Sequence, residues 1–357
     1  MCRLFPFIVG LGLLALAAEF TRAAPFAYIT NSADGTVSII DTATDVVTET
    51  VPVGGEPQGV AVNAAGTRVY VANLSSSLSI VDTATNRVIS TVATGTLPFG
   101  VAANPAGTRV YVTNSFSDNL SVIDTAKNTV VATVTVGRLP DGVAVSPNGT
   151  HVYVANRGSN DVSIVDGTSN TLISTVAVGN GATGVALNAA GTRAYVTNAF
   201  SNSVTVIDMA SNTIVATVSV GLGPAGVAVN AAGTRVYVAN NGSTTVSVID
   251  ATTNAVIATL VVGLNPTGIA LNPTGTRVYV ANFNSGTVSV IDAATNTVID
   301  TVSVGRAPVA FGQFIGPEAR VPVAAATVVP ALSKRGLMTL LLALAIAGVY
   351  QVRARRW

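Results

Sequence analysis

Histidine, cysteine and tryptophan are almost missing from this chain. Among 357 residues there is one His, one Cys and one Trp. The single cysteine, Cys2, has no partner, so no intramolecular disulfide can form. With one His and one Cys, zinc, copper and haem lose their usual donors, and neither a metal nor a cofactor is expected. Charge is scarce too: 10 % of residues are Asp, Glu, Lys or Arg, and the net charge is +1. Nucleic acid needs a basic footprint, which this balance does not offer. Helical spacing is absent between residues 24 and 316. No nucleophile elbow, phosphate loop or specially placed pair of acids appears either.

What the chain has in abundance is repetition. The stretch GTRVYVAN (residues 66–73) returns in near-copies, and aligning on its tyrosine gives Tyr28, Tyr70, Tyr111, Tyr153, Tyr195, Tyr237 and Tyr279. The gaps are 42, 41, 42, 42, 42 and 42 residues. Asp41, Asp82, Asp124, Asp166, Asp208, Asp250 and Asp292 each close a run such as VSVID. A Val-Gly or Thr-Gly pair ends each repeat at Gly54, Gly95, Gly137, Gly179, Gly221, Gly263 and Gly305. Val and Thr, both β-branched, dominate. Each repeat holds four short β-branched runs, for example GVAVN, RVYVAN, LSIVDT and RVISTVAT. The first two are joined by Asn-x-x-Gly segments, where Gly supplies the positive φ of a tight hairpin. The last two are joined by DTATN-type turns, in which the Asp side chain bonds its own backbone. Four antiparallel strands every ~42 residues form a propeller blade.

Two inferences follow for the architecture. Runs such as VYVA do not alternate, so both faces of each blade should be buried between neighbours. The Gly-, Ala- and Val-rich GVAV run should be the inner strand, where blades converge, and the TVVATV run the outer one. The first repeat starts at Ala27-Tyr28 without an inner strand. Residues 309–315, after the last repeat, should take that place and close the ring, which removes open edges. The expected fold is all-β: a seven-bladed propeller with the first blade completed from the far end of the chain.

The recurring YVAN and YVTN, preceded by P-x-G-V-A-V-N-x-x-G-T-R and followed by VSVID-T-A-T-N, resembles the YVTN family of seven-bladed β-propellers over residues 26–316. Ala182 departs from the pattern where the other repeats carry Pro57, Pro98, Pro140, Pro224, Pro266 and Pro308.

The two ends read as addresses. Residues 1–23 form a signal peptide, with Arg3, an apolar Leu4–Ala18 core and a Thr21-Arg22-Ala23 cleavage site. An uncleaved anchor helix is the alternative. The propeller occupies 24–316 and a linker with a sorting motif 317–335. An apolar helix at 336–352, spanning ~25 Å, suffices to cross a membrane. Arg353–Trp357 form a basic tail that belongs on the cytoplasmic side. This end is similar to the IPTL-CTERM sorting signal of Gram-negative bacteria, on Pro330, Leu332, Ser333 and Gly336. Ala331 and Arg335 depart from it. The resemblance implies processing by an exosortase-type membrane enzyme, against a plain unprocessed anchor. The protein is thus expected to be exported across the inner membrane to the periplasm or cell surface.

Chemistry is thin. His151 fills the hairpin slot of Arg68, Arg109, Arg193, Arg235 and Arg277, so it reads as a surface residue. The seven aspartates read as turn caps. The loops at Asn31–Gly35 and Ser117–Asn119 hold one carboxylate each, too few for calcium. One contrast is informative: the hairpins and the DTATN turns are nearly constant, whereas the loops after the second and outer strands vary. Both variable sets should emerge on one face around the central channel. There they gather Glu56, Phe99, Phe116, Asp118, Arg138, Asp141, Arg157, Asp161, Phe200, Phe283 and Arg306. Aromatics beside charges suit recognition of a protein or polysaccharide, and tolerated loop drift is the bland alternative. The reading is a non-catalytic, membrane-tethered binding scaffold. Its competitor is a propeller lactonase-type enzyme, which would need acid and base side chains at the channel mouth.

Overall fold

A computed structural model of the chain describes residues 20–23, 25–317 and 319–322. Seven antiparallel sheets succeed one another along residues 25–317, six of four strands and one of three. The second blade sets the pattern: Pro57–Val62 innermost, then Arg68–Asn73, Ser77–Asp82 and Arg87–Ala93 outermost. The first blade has Phe26–Asn31, Thr36–Asp41 and Val46–Pro52. The inner position of that blade is filled from the other end of the chain. Ala27 bridges Ile315 and Asn31 bridges Pro308, both antiparallel. Val309 N donates to Thr30 O (2.9 Å) and Tyr28 N to Phe314 O (2.9 Å). The closing segment also touches the second blade, with Val60 N donating to Phe311 O (3.0 Å). The ring is closed as expected, by an irregular segment with isolated bridges rather than a regular ladder.

Each repeated residue has a physical task. The hairpin glycines Gly66, Gly107, Gly149, Gly191, Gly233 and Gly275 have φ between +66° and +75°, a region other residues enter at a cost of roughly 1–2 kcal/mol. In the opposite turns, Asp82 Oδ1 accepts from Ala84 N (3.1 Å) and Thr85 N (3.0 Å), and the other aspartates of that ladder repeat the motif. Turn N–H groups hold the carboxyls of Asp124, Asp166, Asp208, Asp250 and Asp292 below the usual carboxylate range. The last residue of each turn is left-handed, and it is Asn in six turns and Asp45 in the first. His151 is half-buried at the head of its strand, with Nδ1 2.8 Å from Thr150 Oγ1.

The core lies between blades, in the second and third strands. Six of the seven ladder tyrosines are at most 2 % exposed, and Tyr28 is 4 % exposed. One apolar cluster runs through Tyr28, Ile29, Val288, Tyr279, Phe314 and Ile315, so it crosses the seam between the last and first blades. Asp45 strengthens that seam. Its carboxylate accepts from Tyr279 Oη (2.8 Å) and pairs with Arg277 of the seventh blade (2.5 Å).

The outer strands correct one expectation. They are not buried on both faces: in Thr129–Thr135 only Val134 is buried, five other blades likewise bury a single residue, and in the sixth Leu260 is only half-buried. Each carries a β-bulge, so that Ile123 pairs with Val130, Val122 with Ala132, and Val131 is left as the extra residue. The outer strands have no sheet neighbour beyond them.

Phe20–Ala23 and Ala319–Pro322 pair as a separate two-stranded sheet. Most of the expected signal peptide, and the linker after residue 322, the 336–352 helix and the basic tail, lie outside the described residues. No helix among the described residues is long and apolar enough to cross a membrane.

Candidate functional site

The variable loops form one face because they are zipped to each other. Ser115 N donates to Leu97 O (2.9 Å), Arg157 N to Leu139 O (3.0 Å), Ala199 N to Gly181 O (2.8 Å) and Phe283 N to Asn265 O (3.0 Å). Each bond joins the loop after a second strand to the loop that enters the same blade. The loops therefore ride on the rigid ring rather than moving freely.

Phe116 and Phe200 stand out on this face at 68 % and 70 % exposure. Phe283 is half-buried, and Phe99 is half-buried with its ring edge-on to Phe311 (centroids 5.2 Å apart). Two further exposed apolar residues, Leu222 (58 %) and Leu264 (53 %), share the face and were missed by sequence reasoning. The signal was present: they occupy a loop position that other repeats fill with Gly55, Thr96, Arg138, Asn180 and Arg306.

The charged candidates divide into two groups. Asp118, Arg138, Asp141, Arg157 and Asp161 gather on the third and fourth blades. Asp118 Oδ1 accepts from Leu139 N (2.9 Å), and Asp161 Oδ1 accepts from Asn156 Nδ2 (2.6 Å). Asp141 is buried, with Oδ2 2.9 Å from Arg157 Nε and Oδ1 3.3 Å from Ser115 Oγ. Glu56 and Arg138 are exposed. Arg306 is engaged by Asp34, which accepts its Nε–H (2.6 Å) and its backbone N–H (2.6 Å). The carboxylates of both oxygen-rich loops, Asp34 and Asp118, thus already serve the fold. No three of His, Cys, Asp and Glu converge among the described residues.

Burial pushes the Asp141 carboxyl up from 3.8 to about 6, and the Arg157 charge and Ser115 hydroxyl offset this only in part. The folded protein therefore binds this proton more tightly than the unfolded chain. Between about pH 4 and 6 stability should fall as pH rises, and above 6 the full penalty stands. Asp141→Asn is expected to abolish that slope and add about 1–2 kcal/mol at pH 7.5, a rise of about 2–6 °C in Tm. Below about pH 4 the turn aspartates act with the opposite sign, and both proteins should lose stability together. Parallel melting curves for the two proteins across pH 4–7 would refute the assignment.

The central channel is lined by the inner strands and not by the variable loops. Its cavity of about 400 Å³ is walled by inner-strand Gly, Ala and Val residues. The wall continues to Pro147, Asn188, Asn230 and Asn272 at the hairpin end, and Phe311 belongs to it as well. None of the candidate loop residues lines it, and neither does any ionisable side chain. In the P-x-G segments, a methyl on Gly59, Gly100, Gly142, Gly184, Gly226 or Gly268 would strike the carbonyl of the next inner strand. The inner strands thus approach closely just beneath the variable loops.

Comparison with known proteins agrees with the fold. The Choice-of-anchor I domain family model matches residues 119–264, from the third strand of the third blade to the end of the sixth. No curated protein matches. Among solved structures, the Kuenenia stuttgartiensis hydrazine synthase is similar, with TM-score 0.70 and 23 % identity, over 79 % of this chain and 99 % of that one. A functionally unknown protein from Desulfotomaculum acetoxidans DSM 771 gives TM-score 0.71 and 18 % identity, over 81 % and 100 %. Dihydro-heme d1 dehydrogenase NirN in complex with DHE gives 0.61 and 14 %, over 80 % and 74 %. At these identities the likeness concerns the fold alone.

Proposed function

We propose that this chain is an exported, membrane-tethered propeller of the YVTN type that binds a cell-surface protein or polysaccharide through its variable-loop face. The observation that carries this reading is the exposure of Phe116, Phe200, Leu222 and Leu264 on that face. A monomer gains nothing from such exposure, whereas an interface does. The exits from the ring support it. Thr42, in a constant turn, donates to Pro25 O through N (3.2 Å) and Oγ1 (2.6 Å). At the other end Pro317 lies against the Gly66 hairpin. Pro25 and Pro317 thus both lie on the constant side of the ring, away from the variable loops. A leader at 1–23 and the match to the anchor-type family model fit the same picture. The channel lining, without acid or base side chains, gives a lactonase-type reaction nothing to work with.

The test is retention of the purified full chain on envelope fractions of its own source cells. The double variant Phe116→Ser/Phe200→Ser is expected to weaken retention about tenfold or more. Thr85→Ala, on the constant face, should leave it unchanged. Protease or glycosidase treatment of the fractions would then identify the partner's class. Equal retention of all three proteins would overturn the proposal.

A further inference from the structure

Charge divides the variable-loop face into two halves. The loops of blades one to four carry all of its ionisable residues, and those of blades five to seven carry none. On the charged half, Arg306 pairs with Asp34 and Arg157 with Asp141. What remains there among the described residues is Glu56, Asp118 and Asp161 against the exposed Arg138. That half is therefore acidic in balance.

The other half is apolar. Phe200, Leu222 and Leu264 are joined there by Val261, which is 72 % exposed. Val261 ends its outer strand where the other blades end with Pro52, Ala93, Thr135, Ala177, Ser219 and Ser303. It pairs with Thr245, the first residue after the variable loop of the same blade, which sets it on the variable side. Three asparagines of this half bond each other. Asn265 Nδ2 donates to Asn241 O (2.8 Å), Asn241 Nδ2 to Asn265 O (3.3 Å) and Asn284 Nδ2 to Asn265 Oδ1 (2.6 Å).

We propose that the partner of the loop face is a protein whose contact surface joins an apolar patch to a basic flank. The patch sits on blades five to seven and the flank over blades two to four. This partner class presupposes that the loop face is the binding surface. Charge complementarity selects the basic flank, since three carboxylates face one arginine there. An apolar centre beside a charged rim is the common anatomy of a protein interface. Leucine and valine offer a sugar neither a flat stacking face nor a hydrogen bond, and the asparagines of that half already have partners. An anionic polysaccharide would in addition meet like charge.

Retention of the purified full chain on envelope fractions tests both halves. Leu222→Ser/Val261→Ser/Leu264→Ser is expected to weaken retention about tenfold or more. At about 50 mM salt, Glu56→Lys should weaken it about threefold and Arg138→Glu should strengthen it by a similar factor. Both differences should vanish at about 1 M salt, where the Debye length is about 3 Å. All five side chains are exposed, so the variants are compatible with folding. Protease treatment of the fractions should abolish retention, and periodate oxidation of their glycans should leave it intact. The reverse pattern would assign a polysaccharide and overturn the proposal, as would tighter retention of Glu56→Lys than of Arg138→Glu. A loss confined to Phe116→Ser/Phe200→Ser would keep the loop-face reading and sink this one. No loss in any of these variants would sink both.

Discussion

Ending the chain at Ala307 will lower its melting temperature by about 10–20 °C relative to a chain ending at Gly316. Both chains lack the linker and tail, so the difference isolates nine residues. Those residues place Val309, Ala310, Phe311, Phe314 and Ile315 in the core, none more than 5 % exposed. Truncating one buried Phe or Ile costs about 2–5 kcal/mol. The ordering entropy of the segment, about 1–2 kcal/mol per residue, offsets a large part of the sum. A net loss of about 4–6 kcal/mol remains, at about 2–4 °C each. The inner edge of Phe26–Asn31 also loses its partners, including the Val309 N–Thr30 O and Tyr28 N–Phe314 O bonds. An open edge invites pairing between molecules, so the shorter chain should also scatter light on heating. Melting within about 2 °C of the longer chain, with both monomeric, would mean the ring does not depend on its closing segment.

That segment shows how far the sequence could be read. Its position was legible because the first repeat lacks an inner strand and a seventh inner-strand pattern, at Pro308, follows the last repeat. Its irregular pairing was not, since bridges to two blades at once depend on three-dimensional convergence. Strand order, hairpins and turn caps were legible because each rests on residues within a few positions of one another, such as Asp82 and the N–H groups of Ala84 and Thr85. The exposure of the outer strands was hidden. TVVATVT has the same β-branched composition as a buried strand, and only the bulge at Val131 decides which side chains face out. Asp141 was singled out for its charge, but its burial follows from the neighbouring blade's Ser115, 26 positions away. Leu222 and Leu264 were overlooked because the loop comparison weighed aromatics and charges. An aliphatic residue in an otherwise polar loop position carries the same message.

The repeat's terminal glycine yields the sharpest contrast between local and tertiary reasoning. Gly221 is not left-handed, so by backbone preference alanine should be harmless there. Gly107 has φ +68°, where alanine is strained. Packing reverses that order. A methyl on Gly221 would lie 2.5 Å from both Cγ and Nδ2 of Asn240, the asparagine of the next blade. Asn240 is fully buried, and its amide donates to Thr245 Oγ1 (3.0 Å) and Ser247 Oγ (3.0 Å). It cannot retreat without leaving a buried donor unmade, which alone costs about 1–3 kcal/mol. The same clasp recurs around the ring and at the seam, where Gly305 N donates to Asn31 Oδ1 (3.1 Å). Around Gly107 a methyl would meet nothing within 4 Å. Gly221→Ala is therefore expected to cost about 3–4 kcal/mol, against about 1–2 kcal/mol for Gly107→Ala. Chemical denaturation of the two variants reads both values directly. If Gly107→Ala proves the more damaging, the glycine ladder is set by turn conformation, and the clasp between blades is not what fixes the YVxN asparagine.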